Sequence, residues 1–447
     1  MKPDNFKRSL LNNKILVSIL LLSFAISAAY SFYFSIEPAV DARGYDAIAT
    51  NVVNGFGYQE DLNKDITFDF AIARVGPLYP YFLAGIYSIF GHHYEAVWII
   101  QALLHALTAF LIYLISSLIF SNFEQKRNIS LWAMGIFGFY PDLIEISAMI
   151  MTETLYLFLF CLAAYVFFKS FSKISIWSAV LLGLTFGLAT LARPPVLFLI
   201  PVLLFYFYQK KKNAALILFI ITLIAVFTPW TVRNYSVYGR FMPFGAVGAI
   251  NFWTGNFHGG DGEQMANPDY LVFLNSHKVT ETADESIRQF KSFLRQYPGE
   301  FLKFSILRMN KYFSIIRPIG FWFYQSGWSQ FIFLCSSGLA SLMLFIFGLG
   351  GIIKSINFKN ETIYYLIVFT LITPAIFLVA PVETRYRFQI YPLLAIFAAY
   401  FIVHLFSQPK PWRSKLLWLS AGIIFFNGAI DFALSLERLK ERLNLFF

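Results

Sequence analysis

The stretch ILVSILLLSFAISAAYSFYF, residues 15–34, runs for 20 residues without a charged side chain. As a helix it is about 30 Å long, the thickness of a bilayer's hydrocarbon core. Lys2, Lys7, Arg8 and Lys14 precede it, so it reads as a first membrane span with the amino terminus inside. Its length exceeds the roughly 7–15 residues of a signal-peptide core and no A-x-A site follows, so it is expected to stay as an anchor.

The pattern recurs along the chain. Further apolar runs centre on residues 95–120, 129–146, 153–168, 176–192, 196–208, 214–228, 330–353, 362–380, 388–406 and 416–434. They predict an all-α integral membrane protein of about 11 spans, a single membrane-embedded domain over residues 1–447. Charged residues make only 13% of the chain and apolar ones 58%, which excludes an ordinary soluble domain with its roughly 25% charge. The net charge of +10 does not point to nucleic acid, because Lys and Arg punctuate apolar runs instead of forming a basic surface. With alternating spans the inner segments hold 16 basic residues: the four named above, Lys126, Arg127, Lys169, Lys173, Lys210, Lys211, Lys212, Lys354, Lys359, Lys410, Arg413 and Lys415. The short outer turns hold only Arg193, Arg385 and Arg387. That asymmetry sets the orientation in a cytoplasmic (inner) membrane.

Two outer segments are long, 35–94 and 229–329. Leu78 to Phe90 is apolar for 13 residues, too short to cross and suited to lie along the interface. Glu300 to Arg317 mixes phenylalanines with Lys303, Arg308 and Lys311 and reads as a second interfacial helix, beyond a loose stretch at Gly259, Gly260 and Gly262. Gly183 and Gly187, four apart on one span, read as a helix-packing face. Cys161 and Cys335 form no C-x-x-C pair and lie in apolar runs, so neither a disulfide framework nor a thiolate metal site is expected.

Ionisable groups are costly at mid-bilayer, so their positions are informative. The predicted midplanes are clean apart from His105 and His404, each read as a packed or interfacial residue, which weakens an ion-coupled carrier. The charges gather at outer ends of spans: Asp41, Arg74, Asp142, Glu145, Glu153, Arg193, Arg233, Arg385 and Arg387. Carboxylates for proton abstraction beside guanidinium groups for phosphate fit group transfer at the membrane surface. No nucleotide-binding G-x-x-x-x-G-K-[ST] loop is present, and an outer site has no supply of nucleotide-activated sugars. A sugar on a polyprenyl phosphate meets the need, since its tail lies among helices and its phosphate leaves as an anion that arginines stabilise.

Asp41-Ala-Arg-Gly-Tyr45-Asp-Ala-Ile-Ala49 then resembles the D-x-x-x-Y-x-x-x-A signature of the first external loop in lipid-phosphosugar glycosyltransferases of the GT-C fold. That family includes the protein O-mannosyltransferases and the lipid A aminoarabinose transferases. Further matches follow in order: Arg74-Val-Gly-Pro77-Leu-Tyr79-Pro80, Thr152-Glu153, Leu191-Ala-Arg193-Pro194, Pro229-Trp230-Thr-Val-Arg233-Asn234 and Arg385-Tyr386-Arg387. The resemblance covers residues from about 15 to 406. It implies a GT-C helical bundle and an inverting transfer from a polyprenyl (undecaprenyl or dolichyl) phosphate sugar to an acceptor hydroxyl of a glycan, lipid or protein. Asp41 would be the general base; Tyr45, Arg74, Arg233, Arg385 and Arg387 would contact the donor or its phosphate. Glu153 and Asp142 are candidates for an assisting acid on the acceptor side, although Asp142 and Glu145 also read as solvated rim residues. Tyr45, four residues after Asp41, falls on the same helical face.

Where many relatives carry a second acid directly after the first-loop Asp, this chain has Ala42, and Asp46 lies about 140° away around a helix. A single base is the simpler expectation. No cofactor is expected, and no tight ligand spacing points to a metal. The alternative class is a lipid-linked sugar flippase or carrier that uses the same arginines without chemistry.

Overall fold

The computed structural model describes residues 3–74, 76–263, 267–315 and 324–436. Lys2 and Arg317 lie outside them. All regular structure among the described residues is helical.

The first helix, α1 (Pro3–Phe34), carries the expected span over Lys14–Phe34. Ser23, Ser27 and Ser31 recur every fourth residue and are fully buried, whereas Leu21 and Leu22 are exposed to the surroundings. Small hydroxyl side chains let a neighbouring backbone come close. Ser23 donates to the Gly138 carbonyl at 3.2 Å, and the hydroxyls of Ser27 and Ser147 lie 2.6 Å apart. The first outer segment holds α2 (Asp41–Val53) and α3 (Leu78–Phe90). α3 coincides with the run read as interfacial: Tyr79, Leu83 and Tyr87 are buried, and Ile89 and Phe90 are exposed.

After α4 (Tyr94–Ile119), the run expected as one straight span over 129–146 is two helices, α5 (Lys126–Gly138) and α6 (Pro141–Ser147), bent by 54°. Pro141 is the cause. It has no N–H to donate and forces the preceding Tyr140 into extended backbone, at φ −74° and ψ 121°. α7 (Thr152–Ser170) is apolar around its whole circumference and is buried accordingly in the middle of the bundle.

α8 (Ile176–Ala192) leads through a 3-10 segment, Pro194–Leu199, into α9 (Ile200–Gln209) and then α10 (Asn213–Tyr238). Gly183 and Gly187 are the packing face that their spacing suggests. A Cβ on Gly183 would stand 2.9 Å from the Phe219 carbonyl oxygen, and one on Gly187 would stand 2.9 Å from Val226, both on α10. The second outer segment contains α11 (Val247–Gly255), α12 (Pro268–Ser276), α13 (Val279–Gln296) and α14 (Pro298–Tyr312). α14 is the described part of the second expected interfacial helix and ends at Tyr312, with Leu302 and Ile306 exposed on one face. On the other face the buried Arg308 donates to the carbonyls of Gly262 at 2.8 Å and Leu378 at 3.3 Å, and to that of Gly255, tying the loop down.

The last four helices are α15 (Gly327–Ser355), α16 (Glu361–Ile372), α17 (Tyr391–Phe406) and α18 (Lys415–Leu434). α17 is the second buried central helix and packs along the glycines Gly348, Gly350 and Gly351 of α15. Among the described residues, eight helices are long and apolar enough to cross a membrane, and the bent pair makes a ninth. The expected count of eleven is thus not reached by length alone. α8, at 17 residues, is about 25 Å long, and the expected span over 196–208 is a 3-10 turn followed by a helix of 10 residues. The chain is a multi-pass helical membrane protein.

Candidate active site

Asp41 opens α2, where unpaired backbone N–H groups favour a negative charge. Val40 before it has φ 51°, a left-handed conformation that a β-branched side chain resists. Such strain costs about 1–3 kcal/mol and is usually held in place at functional positions. Asp41 Oδ1 accepts from Arg74 Nη1 at 2.9 Å, and Oδ2 accepts from Arg385 Nη2 at 2.7 Å. Burial alone would raise the Asp41 pKa, but the guanidinium groups of Arg385 and Arg74, with Arg193 beyond, outweigh it and hold the carboxyl below its ordinary value. The stability that Asp41 contributes is therefore present above its unfolded pKa of about 3.9 and is lost as the pH falls through the lower folded value. Tyr45 lies one turn on, beneath Asp41, fully buried and edge-to-face with Tyr79 at 5.5 Å. Its hydroxyl has no hydrogen-bond partner among the described residues, and burial pushes its pKa up.

Arg74 is aimed by the loop before it. Asp69 caps the 3-10 turn Phe70–Ala73 by accepting from the Ala71 amide at 2.9 Å, and it also accepts from the amides of Glu60 and Asp61 at 3.0 and 2.7 Å. The Glu60 carboxylate is thereby set opposite Arg74 and takes its Nε and Nη2 at 2.8 and 2.6 Å, a two-pronged grip. Gly44 leaves the space for this guanidinium. A Cβ there would stand 2.5 Å from Arg74 Nε. Gly44→Ala is expected to push Arg74 off Asp41 and lower turnover by about tenfold or more, with unfolding temperature nearly unchanged, since such misplacement costs up to about 10²-fold. Rate and thermal-unfolding measurements on the variant check this. Gly76 packs against the Leu191 and Ala192 carbonyls at the end of α8, which brings the Arg74 loop beside Arg193.

Arg193 ends α8 in extended backbone before Pro194. It is 6% exposed, pairs with Glu153 at the start of α7, and donates to Thr152 Oγ1 at 3.0 Å. Arg385 donates to Glu383 Oε2 at 2.6 Å and stands 3.9 Å from Glu153 Oε1. The guanidinium groups of Arg193 and Arg385 both lie against the Tyr386 ring, at 5.3 and 5.4 Å. One continuous network results: Glu60, Arg74, Asp41, Arg385, Glu383, Glu153, Arg193. Among the described residues of this network, four carboxylates against three guanidinium groups leave one net negative charge.

Two cavities meet at Arg385 and Tyr386. One, of about 350 Å³, is the more polar and is bordered by Asp41, Tyr45, Arg74 and Glu383. The other, also about 350 Å³, is walled by Leu157, Leu197, Phe198, Phe252, Ile376 and Phe377, with Glu153 and Arg193 beside it. An apolar slot with cations at its mouth suits a lipid that ends in a phosphate.

Residues 74–232 match the family model of dolichyl-phosphate-mannose-protein mannosyltransferases. The apo oligosaccharyltransferase of Archaeoglobus fulgidus superposes with a TM-score of 0.50 at 13% identity, over 94% of this chain and 54% of that one. The fold is GT-C. The same enzyme with an inhibitory peptide and a dolichol-phosphate gives a TM-score of 0.50 at 14% identity, over 92% of this chain and 54% of that one. This chain thus spans about half the length of that oligosaccharyltransferase. ArnT from Cupriavidus metallidurans bound to undecaprenyl phosphate gives 0.40 at 12% identity, over 89% of this chain and 78% of that one. A comparison with curated protein sequences finds no match.

Within this GT-C fold the predicted site residues divide. Asp41, Tyr45, Arg74, Glu153 and Arg385 come together, although they derive from distant segments. Arg233 lies elsewhere: it donates to the Tyr58 carbonyl at 2.8 Å and sits over the rings of Tyr58, Trp230 and Tyr238 at 5.5, 5.2 and 5.4 Å. Arg387 is fully buried, donates to the Ser314 carbonyl and lies over Phe345 at 5.8 Å. It follows Arg385 by two residues on a 3-10 turn, Thr384–Ile390, so it leaves the axis about 120° away from Arg385. Asp142 and Glu145 are not solvated rim residues. On α6, behind Pro141, they are 0% and 2% exposed, with Ser337 donating to Asp142 and Tyr324 to Glu145 at 3.0 Å. Neither lines the two cavities. Glu60 and Glu383 are the members that sequence reasoning missed. Glu383 could have been found by its place two residues before Arg385, whereas nothing local marks Glu60.

Proposed function

We propose that this chain is a membrane glycosyltransferase that moves a sugar from a polyprenyl phosphate carrier to an acceptor hydroxyl at the outer face of the cytoplasmic membrane. The observation that carries the reading is the Asp41–Arg385 pair at the junction of an apolar and a polar cavity. The lipid tail occupies the apolar cavity and the phosphate lies at its mouth between Arg193 and Arg385. The acceptor enters the polar cavity beside Asp41. As the acceptor oxygen bonds to the anomeric carbon, its O–H bond breaks and the proton passes to Asp41. The anomeric C–O bond breaks with its electron pair going to the phosphate oxygen, whose charge the two guanidinium groups stabilise. Attack from the Asp41 side, opposite the phosphate, inverts the anomeric centre. The excess of Lys and Arg in the opposite loops supports that side of the membrane. The acceptor is a glycan, lipid or protein hydroxyl.

The test is incubation of purified protein in lipid nanodiscs with polyprenyl-phosphate sugars labelled in the sugar and with cell-envelope acceptors. Free polyprenyl phosphate and labelled acceptor of inverted anomeric configuration are expected. Movement of the labelled lipid across vesicles without release of polyprenyl phosphate would instead make the protein a carrier.

A further inference from the structure

We infer that the donor's phosphate takes Arg385 away from Asp41, and that this exchange frees the base; the inference rests on the donor reading above. In the structure both Asp41 oxygens are engaged, one by Arg74 and the other by Arg385. A carboxylate so covered is a weak acceptor for an acceptor's proton, because two charge-assisted hydrogen bonds favour its ionised form.

The two arginines are not equivalent. Arg74 is held two-pronged by Glu60 and, of the two cavities, borders the polar one. Arg385 borders both cavities, and it shares the Tyr386 ring with Arg193 at the mouth of the apolar one. A phosphate arriving there meets Arg385 beside Arg193. The charge count sets the direction of exchange. The network already carries one net negative charge, so a phosphodiester monoanion joins it at a tolerable cost only by replacing a carboxylate as an arginine's partner. Of the carboxylates on Arg385, Glu383 holds Nε at 2.6 Å, while Asp41 holds the outer Nη2 at 2.7 Å. Exchange at Nη2 leaves Arg385 anchored by Glu383 and turns it from the base to the leaving group. Asp41 then keeps Arg74, and Tyr45, whose hydroxyl has no partner among the described residues, lies beneath it. Donor binding thereby precedes base activation, and the resting site does not activate water.

The test is a titration of undecaprenyl phosphate into nanodisc-held wild type, Asp41→Asn, Arg385→Gln and the double variant. If Asp41 and phosphate compete for Arg385, Asp41→Asn binds about tenfold tighter than wild type, the size of one charge-assisted hydrogen bond. In the Arg385→Gln background the same substitution gains nothing. Equal affinity of Asp41→Asn and wild type overturns the exchange. So does a gain that survives in Arg385→Gln, which would be plain repulsion. If wild type does not bind undecaprenyl phosphate at all, the donor reading fails and the exchange with it. Should Asp41→Asn not fold, Asp41→Ser replaces it, with the same expected gain in affinity and the same dependence on Arg385.

Discussion

Asp41→Asn lowers sugar transfer by about 10²–10⁴-fold, the usual contribution of a positioned general base, while undecaprenyl phosphate still binds. The amide keeps the shape of the carboxylate but takes up no proton, so the loss belongs to chemistry and not to folding. The pH profile of the wild type gives an independent reading. The groups facing Asp41 are Arg74, Arg385, Arg193, Tyr45 and Tyr386, and the arginines hold its pKa below the ordinary value. The free enzyme therefore loses its base only as the pH falls below the usual carboxylate range. With donor bound and Arg385 withdrawn, the pKa rises, so the acid limb of kcat lies at higher pH than that of kcat/KM. Undiminished transfer by Asp41→Asn would remove Asp41 from the chemistry.

Glu153→Ala destabilises the protein by about 3–5 kcal/mol, the cost of stranding one partner of a buried ion pair. Glu153 is 2% exposed and Arg193 is 6% exposed, so bulk solvent reaches little of either side chain. Arg193 would keep Thr152 as its remaining hydrogen bond at 3.0 Å, a neutral acceptor for a full charge. Thermal unfolding of Glu153→Ala, and of Glu153→Ala combined with Arg193→Leu, checks the mechanism. The double variant regains much of the loss, because the uncompensated cation is gone. A single variant as stable as wild type would show that the pair is better hydrated than its burial implies.

Much of the fold is legible in the sequence because a bilayer imposes simple rules. Long uncharged runs become helices, and the glycines at 183 and 187 mark a contact with α10. What escapes these rules depends on single backbone events. Pro141 breaks a span that composition reads as straight, and this buries Asp142 and Glu145 where hydropathy places them at a rim. The site follows the same division. Asp41 and Tyr45 are one turn apart, so their shared face is visible in the spacing. Arg385 and Arg387 look equivalent in sequence, yet a 3-10 turn sends one to Asp41 and the other toward Ser314. Glu60 meets Arg74 only because Asp69 folds the intervening loop through three backbone amides, a tertiary arrangement with no periodic signature. Arg193, beside a proline at a helix end, shows its place in the site only once Glu153 is seen against it.

The most direct measurement is a cryo-electron microscopy structure of the protein with undecaprenyl phosphate. The account predicts the phosphate within hydrogen-bond distance of both Arg193 and Arg385, the tail between Leu197, Phe198 and Phe377, and the Arg385 to Asp41 contact opened. A phosphate lodged at Arg233 or Arg387, or a tail in the crevice of Ile19 and Trp132 between α1 and α5, would contradict it.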